Sequence, residues 1–177
     1  DSVIVEVDMD KDIIKKVVTL AKQYNKKLYG VVSNMSIAVE RRDFLKHFDC
    51  FICNQLEAGM LFMEDYADKS PEELRDILSK RVILGKIPAM IVTMGGNGAV
   101  YADVNGEKGI CPPQRVRVKD TTGAGDAFCA GVASGLTYGK TLSEAVEIGS
   151  RLAASVITSS ENVCPRFLPE EFGITLD

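Results

Sequence analysis

The stretch Lys119–Phe128 reads KDTTGAGDAF and joins a glycine-rich turn to the start of a helix pattern. A turn made of the small residues Gly123, Ala124 and Gly125 leads directly into a helix pattern over 124–136. Because these residues carry no bulky side chains, their backbone N–H groups can approach an anion closely. The helix behind them adds the positive end of its dipole, about half an elementary charge. The stretch therefore predicts a phosphate or oxyanion site where a loop enters a helix.

Asp126 is the unexpected residue of this turn, since a carboxylate beside an anion site repels the anion. One interpretation is a general base that takes a proton from an attacking hydroxyl while the amides hold a phosphoryl group. Such a base contributes about 10²–10⁴ in rate. The other interpretation is an aspartate that only caps the helix, a common role for this residue type. The local pattern leaves both open.

Outward from this turn, strand and helix patterns alternate along the chain. Strand patterns cover 2–7, 28–32, 49–53, 89–93, 99–103 and 115–118, and helix patterns cover 10–24, 37–48, 56–63, 70–84, 124–136 and 141–159. Asp10, Ser70 and Thr141 stand where helix N-caps are expected. Continuous apolar strands between helices predict an α/β fold with a mostly parallel sheet and helices on both faces. We expect one domain over residues 1–177.

Composition and charge exclude several classes of protein. With 177 residues, 46% hydrophobic and 26% charged, the chain is typical of one soluble globular domain. Twenty-one Lys and Arg against 25 Asp and Glu give a net charge of −4, which argues against nucleic acid as a partner. No apolar run reaches the roughly 18 residues that span a bilayer, and no secretion signal opens the chain. A cytoplasmic location without membrane association is expected.

The five cysteines and the single histidine predict no catalytic role. An odd number of scattered cysteines indicates reduced thiols. Cys50 and Cys53 form a C-x-x-C within a strand pattern, and no second ligand pair with zinc spacing follows. We interpret them as buried small side chains rather than as a redox or metal pair. His47 is expected at the exposed end of a helix.

Three motifs together resemble one family. The run Asp120–Phe128, followed by Ala130-Gly131, resembles the signature of the ribokinase-like (PfkB) sugar and nucleoside kinases. Asn54-Gln55-Leu56-Glu57 resembles the family's N-x-x-E motif, and TMGGNG at 93–98 resembles its T-x-G-x-x-G nucleotide loop. The motifs come in the family's order and each follows a predicted strand, where ligands of open α/β sheets bind.

The resemblance implies a role for each motif residue. Asp126 is implied as the catalytic base, and Gly123, Ala124 and Gly125 as the anion hole for the γ-phosphoryl group. Asn54 and Glu57 are implied to hold Mg²⁺ through water, which suits a cation that prefers oxygen ligands. Further residues are implied at the nucleotide (Thr93, Gly95, Gly98) and at a monovalent cation such as K⁺ (Asp120, Thr122). Taken alone, Asn54 and Glu57 also fit a loop turn followed by a helix-start carboxylate.

The implied fold is a ribokinase-like three-layer α/β/α sandwich with a mostly parallel sheet. Family members are longer, and the chain resembles their C-terminal nucleotide-binding and catalytic portion, without the N-terminal part and the β lid. We therefore expect a fragment of a full kinase that is inactive alone. The partners implied are ATP and a sugar or nucleoside acceptor, and the full-length protein is expected to form a homodimer.

The acceptor is indicated by two short segments. The run ENVCP at 161–165 resembles the E-x-V-x-P ending of the pseudouridine-kinase branch, and YGVVS at 29–33 departs from the Asp-Pro of ordinary members. These segments favour pseudouridine or a related ribosyl compound over ribose or fructose. A catalytically silent nucleotide-binding module on the same fold is the alternative of another class. The Walker loop, the Rossmann fingerprint and the G-x-S-x-G elbow of hydrolases are absent from the sequence.

Overall fold

Short apolar segments between the helices form the strands of one sheet. A computed structural model describes residues 1–32, 39–40, 42–160, 163–164 and 168–175. In this part of the chain six strands lie in sequence order, β1 (Ser2–Glu6), β2 (Lys27–Val31), β3 (Cys50–Asn54), β4 (Ala89–Thr93), β5 (Ala99–Asp103) and β6 (Lys108–Cys111). Strands β1 to β4 pair in parallel and β5 returns antiparallel to β4. The predicted mostly parallel sheet is confirmed.

The chain forms two compact units, Asp1–Ile110 and Cys111–Asp177. The described helices of the first unit are α1 (Lys11–Gln23), α2 (Gln55–Phe62) and α3 (Pro71–Gly85), and those of the second are α4 (Ala124–Thr137) and α5 (Leu142–Ile157). Short 3₁₀ helices cover Arg42–His47, Gly95–Asn97 and Pro169–Phe172. The single domain expected from the sequence stays a prediction.

The helices begin where the capping residues predict. The Asp10 carboxylate accepts the N–H of Asp12 at 2.9 Å. Ser70 forms a reciprocal capping box with Glu73, and Thr141 forms another with Glu144. Each box satisfies two backbone donors that the first helical turn cannot pair internally. The capping residues therefore predicted where α1, α3 and α5 begin in the chain.

One hydrophobic cluster of the first unit lies on one face of the sheet, and strand residues of the other face, such as Cys50 and Ile91, are buried as well. Every second strand residue packs against α1, α2 and α3, as period-two alternation requires; examples are Phe51, Cys53, Met90, Val92, Val100 and Ala102 against Ile14, Leu61, Leu74 and Val82. Cys50 and Cys53 are buried, as predicted. A Cβ on Gly30 would lie 2.7 Å from the Phe51 ring, so only glycine fits there. This packing fixes the strand ends that carry the motifs.

The second unit is held by close contact between α4 and α5. A Cβ on Gly131 would lie 2.7 Å from the Cα of Gly149, and a Cβ on Gly149 would lie 2.7 Å from the Phe128 carbonyl oxygen. These glycines let the two helix backbones approach, and Leu152 packs beside them. The start of α4 is thereby fixed relative to α5.

Two sequence predictions differ from the structure, and one strand was not predicted. The strand predicted at 115–118 is wrong: residues 112–118 form neither helix nor strand, Pro112 and Pro113 supply no N–H donor, and Val116 and Val118 are 39% and 54% exposed. Strand β6 was missed; it follows a turn in which Asp103 Oδ1 accepts the N–H groups of Asn105 and Glu107.

Of the predicted helix over 37–48, Val39 is α-helical, Glu40 lies in a turn, and Arg42–His47 form a 3₁₀ helix that ends at His47 as expected. Residues 33–38 and 41 lie outside the described residues. Across the described part of the chain, no helix is both long and apolar enough to cross a bilayer.

Candidate active site

Two of the three motifs meet at the carboxyl edge of the sheet in the first unit. Asn54 ends β3 and Thr93 ends β4, and the two residues are direct partners in the parallel pairing of these strands. Asn54 is exposed and also caps α2. The sheet therefore brings the N-x-x-E motif and the glycine-rich loop together, as the resemblance implied for a ligand site.

Asn54 and Glu57 form a reciprocal capping box. Asn54 Oδ1 accepts the Glu57 N–H at 2.9 Å, and Glu57 Oε2 accepts the Asn54 N–H at 2.6 Å. Sequence reasoning missed this box, although Asn-x-x-Glu before an apolar run is its pattern. Burial raises the pKa of the Glu57 carboxyl, and the hydrogen bond from the Asn54 backbone opposes that shift. A nearby cation would favour the ionised form of this half-buried group.

The glycine-rich loop after β4 is a tight turn. The Met94 N–H donates to the Gly98 carbonyl oxygen at 2.7 Å, and Gly95–Asn97 form one 3₁₀ turn between them. Gly95 and Gly98 have φ of 55° and 87°, the region that favours glycine. A Cβ on Gly95 or Gly96 would meet no atom of the described chain within 4 Å. Gly95 and Gly96 thus border open space in the loop that follows Thr93, the strand partner of Asn54.

The third motif lies in the second unit at the start of α4. Gly123 has φ of 78° and offers the helix no side-chain cap, unlike the capping residues of α1, α2, α3 and α5. The Ala124 N–H donates to the Thr121 carbonyl oxygen at 3.2 Å. Since a first helical turn has no internal acceptors, the N–H groups of Gly125 and Asp126 are the ones available to an anion. Asp126 lies in this turn and is exposed.

Asp120 and Thr122 form a local oxygen cluster before the turn. Asp120 Oδ1 accepts the Thr122 N–H at 2.9 Å and the Thr122 hydroxyl at 2.8 Å. These hydrogen bonds lower the pKa of the Asp120 carboxyl. Within the described ranges, no group of three or more His, Cys, Asp and Glu is arranged to hold a metal ion.

A pocket of about 310 Å³ adjoins Asp126 within the second unit. It is lined by Gly123, Asp126, Ala127, Ala130, Ser134 and Leu152, with Val163 and Cys164. Sequence reasoning missed it, and the only signal was the small side chains on one face of α4. Most of this surface is apolar, so a ring could pack there beside the carboxylate.

The chain matches the pfkB family carbohydrate kinase over residues 2–165. It belongs to this family. The guanosine-inosine kinase of Exiguobacterium acetylicum is 34% identical over 165 residues, which cover 92% of this chain and 53% of the relative. The pseudouridine kinase of Escherichia coli K12 is 35% identical over 69 residues, or 39% of this chain and 22% of the relative.

A solved pfkB-like structure confirms the fold. The probable sugar kinase from Rhizobium etli CFN 42 superposes with a TM-score of 0.75 at 26% identity, over 93% of this chain and 50% of that one. The chain spans about half the length of the guanosine-inosine kinase and of the probable sugar kinase. The predicted pfkB membership and ribokinase-like fold are confirmed. The roles of the individual motif residues stay predictions. The acceptor segment at 161–165 lies largely outside the described residues.

Proposed function

We propose that the protein containing this chain is a kinase that transfers the γ-phosphoryl group of ATP to a hydroxyl of a nucleoside. The observation that carries this proposal is the start of α4: a left-handed Gly123, a helix end with no side-chain cap, and an exposed Asp126 in its first turn. An uncapped helix end attracts phosphate, and the exposed Asp126 carboxylate in the same turn is placed to accept a proton from a group beside that phosphate. Membership of the pfkB family supports the same chemistry.

Asp126 acts as the general base in this proposal. It accepts the proton of the attacking hydroxyl while the phosphoryl group is in transfer. A carboxylate is a weak base, which suits a loose transition state in which the hydroxyl loses its proton late. The exposure of Asp126 leaves room for the hydroxyl.

The backbone of the turn stabilises the charge on the phosphoryl oxygens. Of the residues expected in the anion hole, Ala124 already donates its N–H to Thr121. The N–H groups of Gly125 and Asp126 therefore carry most of this task, with Gly123 supplying the left-handed entry into the helix. Fixed backbone donors of this kind act without reorganising during the reaction.

The nucleotide and its cations are assigned to the other motif residues. Thr93, Gly95 and Gly98 border the nucleotide, which approaches the open face of the loop. Asn54 and Glu57 present amide and carboxylate oxygens that fit a Mg²⁺ bound through water, and Mg²⁺ neutralises phosphate charge when it is present. Asp120 and Thr122 offer a carboxylate and a hydroxyl that suit a monovalent cation such as K⁺.

Two relatives support a nucleoside as the acceptor in this proposal. The two curated relatives described above are named as kinases of guanosine, inosine and pseudouridine. We therefore favour a nucleoside over free ribose or fructose. The mainly apolar pocket beside Asp126 supports a ligand with a ring, since ligand pockets start at about 300 Å³.

The test is ATP consumption by the full-length protein with Mg²⁺ and each of guanosine, inosine, pseudouridine, ribose and fructose. The Asp126→Asn variant keeps the shape of the side chain and removes the base. Asp12→Asn is the matched control, because Asp12 is also an exposed carboxylate in a first helical turn. We expect turnover with a nucleoside that is lost in Asp126→Asn and kept in Asp12→Asn.

Three results would contradict the proposal. Full turnover in Asp126→Asn would show that Asp126 is not the general base. Turnover restricted to ribose or fructose would remove the nucleoside assignment. ATP binding without turnover of any acceptor would favour a silent nucleotide-binding module.

A further inference from the structure

A second cavity, of about 350 Å³, lies at the amino-terminal edge of the sheet in the first unit. Lys27 begins β2, Asp49 precedes β3 and Pro88 precedes β4, and all three line it. Asn54 and Thr93 end β3 and β4 at the opposite edge. A strand of five residues spans about 16 Å, so this cavity is separate from the carboxyl-edge motifs.

The rim of this cavity is rich in positive charge. Lys22, Lys26 and Lys27 line it, together with the His47 ring and a single carboxylate, Asp49. Asp49 is already engaged, since its Oδ1 accepts from Lys27 Nζ at 2.8 Å and its Oδ2 accepts the Leu28 N–H at 2.9 Å. This pair raises the pKa of Lys27. Among the lining residues, the positive charges of Lys22 and Lys26 are therefore not balanced by Asp49.

These two lysines are weakly compensated in the described part of the chain. Lys26 Nζ lies 2.8 Å from the carboxylate of Asp1, whose side chain is 86% exposed, so solvent screens the pair. Lys22 Nζ lies 3.2 Å from His47 Nδ1. Because an ammonium group only donates, Nδ1 is the acceptor in this contact and the ring proton is on Nε2. His47 can thus donate a hydrogen bond from Nε2.

The pKa of the His47 ring is lowered by its surroundings. Burial lowers its pKa first, and the charges of Lys22 and Lys46 lower it further, while Asp43 opposes them. An anion bound beside the ring would act in the opposite direction, because a negative charge favours the imidazolium form. His47 is also the only histidine among the 177 residues. Its ring is therefore a local reporter for any anion in the cavity.

The floor of the cavity is apolar. Val18, Ala21, Leu28 and Phe48 are buried side chains that line it beneath the charged rim. A free anion would use the rim alone, whereas a phosphate ester with an apolar ring would use the rim and the floor. Ligand sites typically combine an apolar lining with a few polar groups in this way.

We propose that this cavity binds a small phosphate monoester, with the phosphate against Lys22, Lys26 and His47 and a ring on the apolar floor. The site lies in the first unit, away from the carboxyl-edge motifs, and does not depend on the proposed kinase activity. Inorganic phosphate and a nucleoside monophosphate share the recognised group. They differ in whether they can use the floor.

The test is a proton NMR titration of the His47 ring in the full chain, with its signal assigned by its loss in His47→Gln. The probes are inorganic phosphate, AMP and uncharged adenosine, at constant ionic strength set with sodium chloride. We expect phosphate and AMP to move the signal and to raise the pKa of His47, with AMP binding more tightly. Adenosine alone should leave the pKa unchanged.

Variants of the rim make the result specific. Lys22→Gln and Lys26→Gln should each weaken AMP binding about fivefold, the effect of about one exposed charge pair. Lys22→Arg should retain most of the affinity. Lys16→Gln is the matched control, since Lys16 is an exposed lysine of α1 that does not line the cavity. Circular dichroism of each variant verifies that it is folded.

Several outcomes would overturn the proposal. A His47 signal that does not respond to phosphate or AMP would show that the cavity does not bind a phosphate group. An equal response to sodium chloride would indicate only general screening. Equal weakening in Lys16→Gln would show an effect of net charge. Equal affinity for phosphate and AMP would remove the role of the apolar floor.

Discussion

Replacing Gly125 by alanine adds one methyl group to the first turn of α4, and we expect stability and activity to change in opposite directions. The Gly125 backbone is helical, and apart from its chain neighbours and the backbone of its own helix, no atom of the described chain lies within 4 Å of the added carbon. Alanine in place of glycine stabilises a helix by about 0.5–1 kcal/mol. For a protein of the length of the guanosine-inosine kinase relative, about twice this chain, that corresponds to a rise in Tm of about 1 °C.

The same methyl group lies where the proposed phosphoryl group must approach the N–H groups of Gly125 and Asp126. A displacement of about 1 Å in such a site costs about 10²-fold in rate. This equals about 2.7 kcal/mol of transition-state stabilisation. We therefore expect kcat/KM to fall about 100-fold in Gly125→Ala while Tm rises. Steady-state kinetics and differential scanning calorimetry of the full-length protein measure the two quantities.

Gly131 on the same helix provides the contrast. Its added carbon would lie 2.7 Å from the Cα of Gly149, so Gly131→Ala must move the helices apart. Overpacking of this kind costs about 1–3 kcal/mol, and Tm should fall. Full activity in Gly125→Ala would refute the anion hole at this turn. A fall in Tm equal to that of Gly131→Ala would refute the open space at Gly125.

Three further predictions concern the first unit. Glu57→Gln keeps an amide oxygen for the capping box and removes a carboxyl whose pKa burial raises. Stability to urea at pH 7 should be retained, while the Mg²⁺ concentration needed for half-maximal turnover should rise. An unchanged Mg²⁺ requirement would count against Glu57 as a residue that holds Mg²⁺. Arg75 and Lys108 hold the pKa of Asp76 at about 2. Asp76→Asn should therefore lower stability by its full amount above about pH 4, and the difference from the unsubstituted protein should vanish as the pH falls toward 2. Urea midpoints across this range measure the difference, and a difference that does not depend on pH would contradict the prediction. Ser70→Ala removes the cap of α3 and should cost about 1 kcal/mol, seen as a lower urea midpoint, whereas an unchanged midpoint would show that packing alone positions this helix.

Local signals in the sequence were sufficient for the elements with strong caps and clear periodicity. Asp10, Ser70 and Thr141 mark helix starts because their side chains accept the first backbone N–H groups. The parallel strands were recognisable because the central residues of each strand are apolar or small. The segment 115–118 misled because its alternation of Arg and Val imitates a half-buried strand, whereas both valines are substantially exposed. Alternation predicts a strand only where a partner edge exists.

The candidate site was predictable to the level of motifs but not of contacts. The order of the three motifs indicated the family, and the register of β3 and β4 placed Asn54 beside Thr93. The capping box of Asn54 and Glu57 was not predicted, because the same two residues were interpreted as ones that hold Mg²⁺. The pocket beside Asp126 depends on the spacing of α4 and α5, which no local pattern encodes.

The missing side-chain cap of α4 has a consequence for hydrogen exchange. In the free protein, the amide protons of Gly125 and Asp126 should exchange with deuterium early, while that of Glu144, which the Thr141 hydroxyl accepts at the start of α5, should exchange later. An anion bound at Gly123–Asp126 would slow the exchange of these few amides and leave α5 unaffected. Deuterium uptake measured peptide by peptide would then locate ligand binding along the chain without any substitution.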